Sequence, residues 1–339
     1  METALFLLVD GITSGAVYGL VALSLILIYT VTRVVNIAQG EFVTLGALSF
    51  ASILGGAFAP LAPIAMAGIA IFSVADAVTL KADLAARFRL LAGRSVWIAL
   101  IAAVSTAAWA NPGSYALAAI AAVATTAALG PVLYRLSVEP AADASPIVLL
   151  IISVGVYMVL HGSAVLIWGA EPKSVPPIAV GGIGLGPVFV AYQSLWICFL
   201  SLVVMAGLYL FSERTVTGQA IQAAAVNRVG AQLCGIPVSW AGQLSFALSA
   251  AFSALSGLLL APLVTAHYDM GFTIGLKGFV GAALGGIVEY PTALIGVVFV
   301  GAVESFSAYN FSSFKDAVVF LLVIPILLWR NAFRPPQEH

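Results

Sequence analysis

Apolar segments of about twenty residues follow one another along almost the whole of this chain, and few charges interrupt them. Only 8% of its 339 residues are Asp, Glu, Lys or Arg, and 62% are hydrophobic. A water-soluble domain carries about 25% charged residues, and a helix crosses the hydrocarbon core with about 20 apolar residues. The chain therefore reads as an all-α polytopic membrane protein. The apolar segments run at roughly 5–30, 34–58, 61–79, 95–110, 114–136, 145–169, 187–211, 240–266, 273–288, 292–309 and 316–330. Of these, 273–288 and 316–330 are short and either re-enter or tilt, which leaves about 9–11 transmembrane helices. The start, METALFLLVD, has no basic region ahead of its apolar run, so it reads as a first span rather than a cleaved signal.

The basic residues give an orientation. With the N-terminus outside, Arg33, Lys81, Arg87, Arg89, Arg94, Arg135, Arg214, Arg228, Arg330 and Arg334 all fall on the inner side. Only Lys173 and Lys315 fall outside, and Lys277 lies within a segment. Cytoplasmic loops carry the excess of Lys and Arg, so the N-terminus is expected outside and the C-terminus in the cytoplasm. Lys81–Arg94 reads either as a basic cytoplasmic loop or as a helix lying at the inner interface, with Leu84, Phe88 and Leu91 on one face. The proline- and glycine-rich stretch Glu171–Gly186 is expected to be an irregular outer loop.

One polar stretch, Ser212–Ser239, interrupts two long apolar segments and cannot span a bilayer. Thr215 or Thr217 can cap a helix at its start, Asn227 can cap a second short helix, and Gly235 followed by Pro237 ends that helix. Ile221, Ala225, Val229 and Leu233 recur every four residues, which places them near one face. The stretch reads either as an ordinary loop or as an amphipathic platform at the cytoplasmic surface.

Polar groups at membrane depth mark candidate sites, because lipid solvates them poorly. Asn36, Gln39, Gly40, Val43, Thr44 and Ala47 share a helical face in RVVNIAQGEF and the residues after it, with Glu41 beside them. Amides donate and accept without carrying charge. The face suits either a pathway for a polar, net-neutral solute or hydrogen bonding to a neighbouring helix. Further along, Gly271, Gly275, Gly278, Gly281 and Gly285 form a stripe of minimal side chains, read as a packing seam. Lys277 and Glu304 fall about 6 and 7 Å in from the outer ends of their segments, so they can form an intramembrane ion pair. Asp10, Asp76 and His161 are further buried candidates, each read first as structural.

Several chemistries are missing from the sequence. There is no GxxxxGK[ST] phosphate loop, no HExxH helix and no GxSxG turn. His161, His267 and His339 are too scattered for a metal site, and Cys198 and Cys234 do not suggest a disulfide framework. The net charge of −1 gives no basic field for nucleic acid. No metal, cofactor or catalytic residue is expected on this chain, and any ATP that energises it is hydrolysed by another subunit.

Three stretches resemble one family. They are GITSGAVYGLVALSLILIYTVTRVVNIAQGEFVTLGAL from Gly11 to Leu48, TGQAIQAAAVNRVGAQLCGI from Thr217 to Ile236, and GLKGFVGAALGGIVEYPTALIGVVFVGAVES from Gly275 to Ser305. In order and spacing they resemble the inner-membrane permease subunits of branched-chain amino acid ABC importers, the LivH type. Asn36, Gly40 and Glu41 match that pattern, whereas Gln39 replaces its usual His, and Asn227-Arg228 is similar to the urea-type relatives. Residues 61–112 depart from the pattern and look like inserted helices within a single permease domain.

The resemblance implies an ABC importer permease fold working by alternating access. It implies a LivM-like partner permease or a homologous copy, two cytoplasmic ABC ATPases and a periplasmic substrate-binding protein, all at a bacterial inner membrane. It makes residues 212–239 the segment that couples to an ATPase, with Thr217, Gly218, Ala224, Asn227, Arg228 and Gly235 in it. Position and chemistry together make Asn36, Gln39, Gly40, Glu41 and Thr44 the expected translocation path. The expected solute is small and polar, branched-chain amino acids first, with urea, short amides or small carboxylates as the alternative. A self-sufficient channel or secondary transporter is the rival class, and it predicts flux from this chain alone.

Overall fold

Eleven helices of sixteen or more residues occupy the eleven apolar segments, and two shorter ones fill the polar stretch. The structure is a computed structural model that describes residues 2–79, 84–142, 144–185, 188–286 and 290–333. Its helices are α1 (Glu2–Thr32), α2 (Gln39–Leu54), α3 (Ala62–Thr79), α4 (Leu84–Ala110), α5 (Tyr115–Leu133) and α6 (Pro146–Trp168). A hairpin of β1 (Gly182–Leu185) and β2 (Val188–Ala191) follows. The chain continues through α7 (Tyr192–Arg214), α8 (Val216–Val226), α9 (Arg228–Leu233), α10 (Val238–Leu260), α11 (Met270–Gly285), α12 (Tyr290–Asn310) and α13 (Lys315–Phe333). Among the described residues α1, α4, α5, α6, α7, α10 and α12 are long and apolar enough to cross a membrane, while α2, α3 and α11 are apolar but shorter.

Small residues set the centre. Gly11 and Gly15 of α1 leave no room for a side chain against Ala302 and Val298 of α12, and Gly301 returns the contact against Gly11 and Gly15. Without a hydrophobic drive between helices in lipid, such close backbone approach is what holds them. On its other side α1 packs on α10, whose Ser245, Ser249, Ser253 and Ser256 are all buried. Ser249 Oγ donates to the Ser24 carbonyl at 2.7 Å, and Ser256 Oγ donates to that of Val17 at 3.1 Å. At the other extreme α4, α6 and α7 expose large apolar side chains such as Trp97, Ile151, Leu166 and Leu202, the surface that lipid or another apolar helix covers.

Four expectations are corrected. The second segment is not a helix from residue 34. Arg33, the one non-glycine residue with positive φ (58°) among those described, ends α1, and residues 33–38 are non-helical. Asn36 sits in that break and closes a turn, so it does not share a helical face with Gln39 and Thr44. Its Oδ1 accepts from the Ala38 N–H at 3.2 Å and its carbonyl accepts from the Gln39 N–H at 3.2 Å. The first residue of α2, Gln39, lies against Ser249 and Ser253, the middle of α10. α2 therefore starts at mid-depth, and its 16 residues reach only about 24 Å. Irregular backbone at that depth is tolerated where protein buries it, and Val34 and Ala38 are buried.

Residues 84–94 are neither a loop nor a separate surface helix. They are the first turns of α4, which runs unbroken to Ala110 because neither Gly93 nor any proline stops it; Lys81 and its neighbours 80–83 lie outside the described residues. The third correction concerns 187–211, where Val188–Ala191 leave the apolar run to form β2, and the helix starts at Tyr192. Fourth, Ile221, Ala225, Val229 and Leu233 do not form one face, because α8 and α9 are separate helices with Asn227 between them. Ile221 is buried, whereas Val229 and Leu233 are 67% and 84% exposed.

Candidate functional site

The first turns of α2 carry the polar residues of the expected path, and the helix is buried almost throughout. Gln39 is locked in place: its Nε2 donates to Ser253 Oγ at 2.6 Å, Ser24 Oγ at 3.0 Å and the Ser249 carbonyl at 3.1 Å. Gly40 is a contact point. A Cβ there would collide with the backbone of Gly271 and crowd Gly275 of α11. The rest of the α11 glycine stripe is spent the same way, with Gly278 on Val21, Gly281 on Val297 and Gly285 on Ala293. Asn36 lines a small crevice with Phe42, Ser137, Ser153 and Phe246, and Gln39, Glu41 and Thr44 are not among its lining residues.

Glu41 and Thr44 face a different set of neighbours. The Glu41 side chain is fully buried, and its Oε1 lies 3.4 Å from Nδ1 of His161 on α6. Its Oε2 and Thr44 Oγ1 stand near each other, and neither makes a hydrogen bond of good geometry among the described residues. Around the pair stand three aromatic rings. His161 stacks near Tyr157 on its own helix, with ring centres 5.5 Å apart, and meets Tyr268 edge-on at 5.5 Å. Tyr157 in turn packs on Phe272 of α11 at 5.4 Å. Asp269, at the N-cap of α11, adds a second carboxylate close enough to act electrostatically on Glu41.

A second buried charge cluster joins four helices. Lys277 Nζ on α11 donates to Glu304 Oε1 on α12 at 2.6 Å, and Tyr18 Oη on α1 donates to Glu304 Oε2 at 2.6 Å. Asp316 Oδ1 on α13 lies 2.7 Å from the same ammonium, outside hydrogen-bonding geometry. Two carboxylates thus share one buried cation. Asp10, one of the lone suspects, accepts a hydrogen bond from Ser305 beside this cluster at 2.9 Å. Asp76 takes a salt bridge from Arg94 at 2.8 Å and another from Arg135, so it ties α3 to α4 and to the end of α5.

The polar stretch folds as two capped helices. Thr215 Oγ1 accepts from the Gly218 N–H at 3.0 Å to start α8, and Asn227 Oδ1 accepts from the Gly230 N–H at 2.9 Å to start α9. Gly235 turns the chain with φ of 81°, and Pro237 precedes α10. Gly218, Ile221, Ala224 and Ala231 face inward, the apolar ones joining Val31 and Ala241. Arg33 donates to the Ala225 carbonyl at 2.8 Å, and Arg228 to that of Ala142 at 3.1 Å. Thr217 borders the first cap through its 3.0 Å contact with Thr215. Val216, Val226, Val229 and Leu233 are left exposed.

Sequence reading flagged Glu41 and His161 separately and missed Tyr157, Tyr268 and Phe272. The signals were present: Tyr157/His161 and Tyr268/Phe272 are each spaced i, i+4, the spacing of helical neighbours. The serines of α10 likewise recur every three or four residues.

A bundle of apolar helices with a half-length helix entering at mid-depth, buried polar groups at its tip and a capped helix pair at one end defines a multi-pass membrane transport subunit. The chain belongs to the family described as branched-chain amino acid transport system / permease component, whose profile matches residues 7–327. It is 28% identical over 330 residues to the high-affinity branched-chain amino acid transport system permease protein BraD of Pseudomonas aeruginosa, covering 95% of this chain and 92% of that one. It is 26% identical over 328 residues to the corresponding LivH of Escherichia coli, covering 94% and 91%. A shorter likeness, 27% over 184 residues, covers 52% of this chain and 55% of the L-arabinose transport system permease protein AraH of Escherichia coli. No solved structure matches the chain.

Proposed function

We propose that this chain is the permease subunit of an ATP-driven importer for branched-chain amino acids at a bacterial inner membrane. It pairs with a second permease, LivM-like or a copy of itself, two cytoplasmic ABC ATPases and a periplasmic substrate-binding protein. The observation that carries this reading is the α8–α9 platform: its inner face is packed on α1 and α10, while Val216, Val226, Val229 and Leu233 stand unpartnered. An apolar surface held on a rigid base suits docking of another protein. With the N-terminus outside, as the Lys and Arg distribution favours, that platform is cytoplasmic and within reach of the ATPases. In this reading Thr217, Gly218, Ala224, Asn227, Arg228 and Gly235 shape the coupling segment.

The translocation path runs beside the tip of α2. Glu41 and Thr44 supply its polar contacts, Asn36 marks its start, and Gln39 and Gly40 fix α2 against α10 and α11. Residues 61–112 are an addition to the permease domain, clamped to it through Asp76 and Arg135. Reconstitution into liposomes tests the whole. With both ATPases, the partner permease and the binding protein, ATP should drive uptake of leucine, isoleucine and valine; the chain alone should give none. Uptake by the chain alone, or ATP-driven uptake of urea without that of leucine, would overturn the reading.

A further inference from the structure

A carboxylate with a free oxygen is rarely buried without reason, because an unpaired charge in a low-dielectric interior is among the most costly arrangements a fold can hold. Glu41 is a carboxyl group at such a position: its side chain has no exposure, and Oε2 makes no hydrogen bond of good geometry among the described residues, with Thr44 standing beside it. Among the described residues the one basic side chain within ion-pair distance is His161, at 3.4 Å from the other oxygen. Asp269 at the N-cap of α11 is a second acid near Glu41 and supplies no counter-charge.

The walls favour a particular partner. Tyr157, Tyr268 and Phe272 bring aromatic faces to the same place, and ring faces attract cations while accepting alkyl groups. Thr44 Oγ1, buried beside the Glu41 carboxyl one helical turn on, offers one more polar group. Part of the cluster is reached from the surface: Tyr157 of α6 packs on Phe272 of α11, and Phe272 is 41% exposed.

We propose that Glu41, beside the ring cluster of His161, Tyr157, Tyr268 and Phe272, binds the ammonium end of the transported solute. This rests on the importer reading above and adds to it the group that holds the solute on its way. The ligand class is a small alkyl ammonium, of which a zwitterionic aliphatic amino acid is one member. An alkyl carboxylate of the same shape is excluded by the carboxylates of Glu41 and Asp269.

The test is ligand-observed NMR on the full-length chain in nanodiscs, with isobutylammonium chloride, leucine, sodium isovalerate and potassium chloride as probes. Isobutylammonium and leucine should bind and isovalerate should not. Glu41→Gln should weaken both amines by about tenfold or more, the low end for a hydrogen bond to a charged group, with Glu41→Asp retaining part of the binding. Phe272→Leu, at a half-exposed position that does not threaten folding, should weaken them about two- to fivefold, and it decides the matter if Glu41→Gln fails to fold. Equal binding of isovalerate, unchanged binding in the folded variants, absence of amine binding to the wild type, or displacement of the amines by equal concentrations of potassium would each overturn the proposal. Uptake separates it from the importer reading. If the reconstituted complex imports leucine equally well with Glu41→Gln, the subsite fails and the importer stands; if the wild-type complex imports no branched-chain amino acid, the importer reading fails and the NMR result still decides the subsite.

Discussion

The carbonyl oxygens of Gly40 and Gly271 each occupy the space where the other residue would carry its Cβ. Replacing either by alanine must therefore push α2 and α11 apart. Overpacking of this kind costs about 1–3 kcal/mol, so Gly40→Ala and Gly271→Ala should each lower the melting temperature in detergent. Gly155→Ala is the control, because that site is open. There the substitution should leave stability unchanged or raise it by up to about 1 kcal/mol through helix propensity.

Lys277 sits between two carboxylates, which makes the effects of removing charges unequal. Lys277→Met leaves Glu304 and Asp316 facing each other without a cation, and should cost about 3–5 kcal/mol, as for a broken buried pair. Glu304→Gln leaves Asp316 as partner and should cost less. The double variant should be milder than Lys277→Met alone. Thermal unfolding of the three proteins gives the order, and a double variant no better than the Lys277 single would show that the pair does not interact.

Asp76→Asn removes the charge and one of the two acceptor oxygens that join α3 to Arg94 and Arg135. With these side chains partly reached by solvent, the loss should be about 1–3 kcal/mol. Arg135 keeps its salt bridge to Glu139, so Arg94 should lose its place first. A disulfide engineered between α3 and α4 should restore the melting temperature, and an unchanged melting temperature in Asp76→Asn itself would argue that the bridge is idle.

The exposed and buried faces of α8–α9 should separate docking from folding. Leu233→Asp and Val229→Asp change surface positions and should leave the melting temperature within about 0.5 kcal/mol of wild type, while ATPase co-purification and ATP-driven uptake fall. Ile221→Asp places a charge inside the cluster with Val31 and should lower the yield of folded protein itself. Full ATPase binding by the Leu233 variant would remove this surface from the coupling role.

The number of apolar helices and the caps at Thr215 and Asn227 were legible in the chain, since span length and capping chemistry are local properties. So was the glycine seam of α11, because a stripe of small residues every three or four positions has one efficient use in lipid. What local pattern could not show was where a helix begins in depth. The apolar run from Val34 gives no sign that Arg33 turns left-handed or that Gln39 finds its partners halfway along α10. Nor could it bring α6 to α2: the approach of His161 to Glu41 spans well over a hundred residues of chain and depends on how the helices between them pack. β2 was hidden for a simpler reason, because Val188–Ala191 is as apolar as the helix that follows it.

Arg33 grips the last turn of α8 through the Ala225 carbonyl, and only Val34–Ala38 lie between it and the first residue of α2. That segment is a five-residue non-helical connection, pinned by the Asn36 turn and by the burial of Val34 and Ala38. On the coupling reading proposed above, a displacement of the surface platform would reach the tip of α2 as a tug on a short tether, with α1 as the fulcrum. The proposed coupling would then work as a lever, with its long arm at the membrane surface and its short arm beside Glu41.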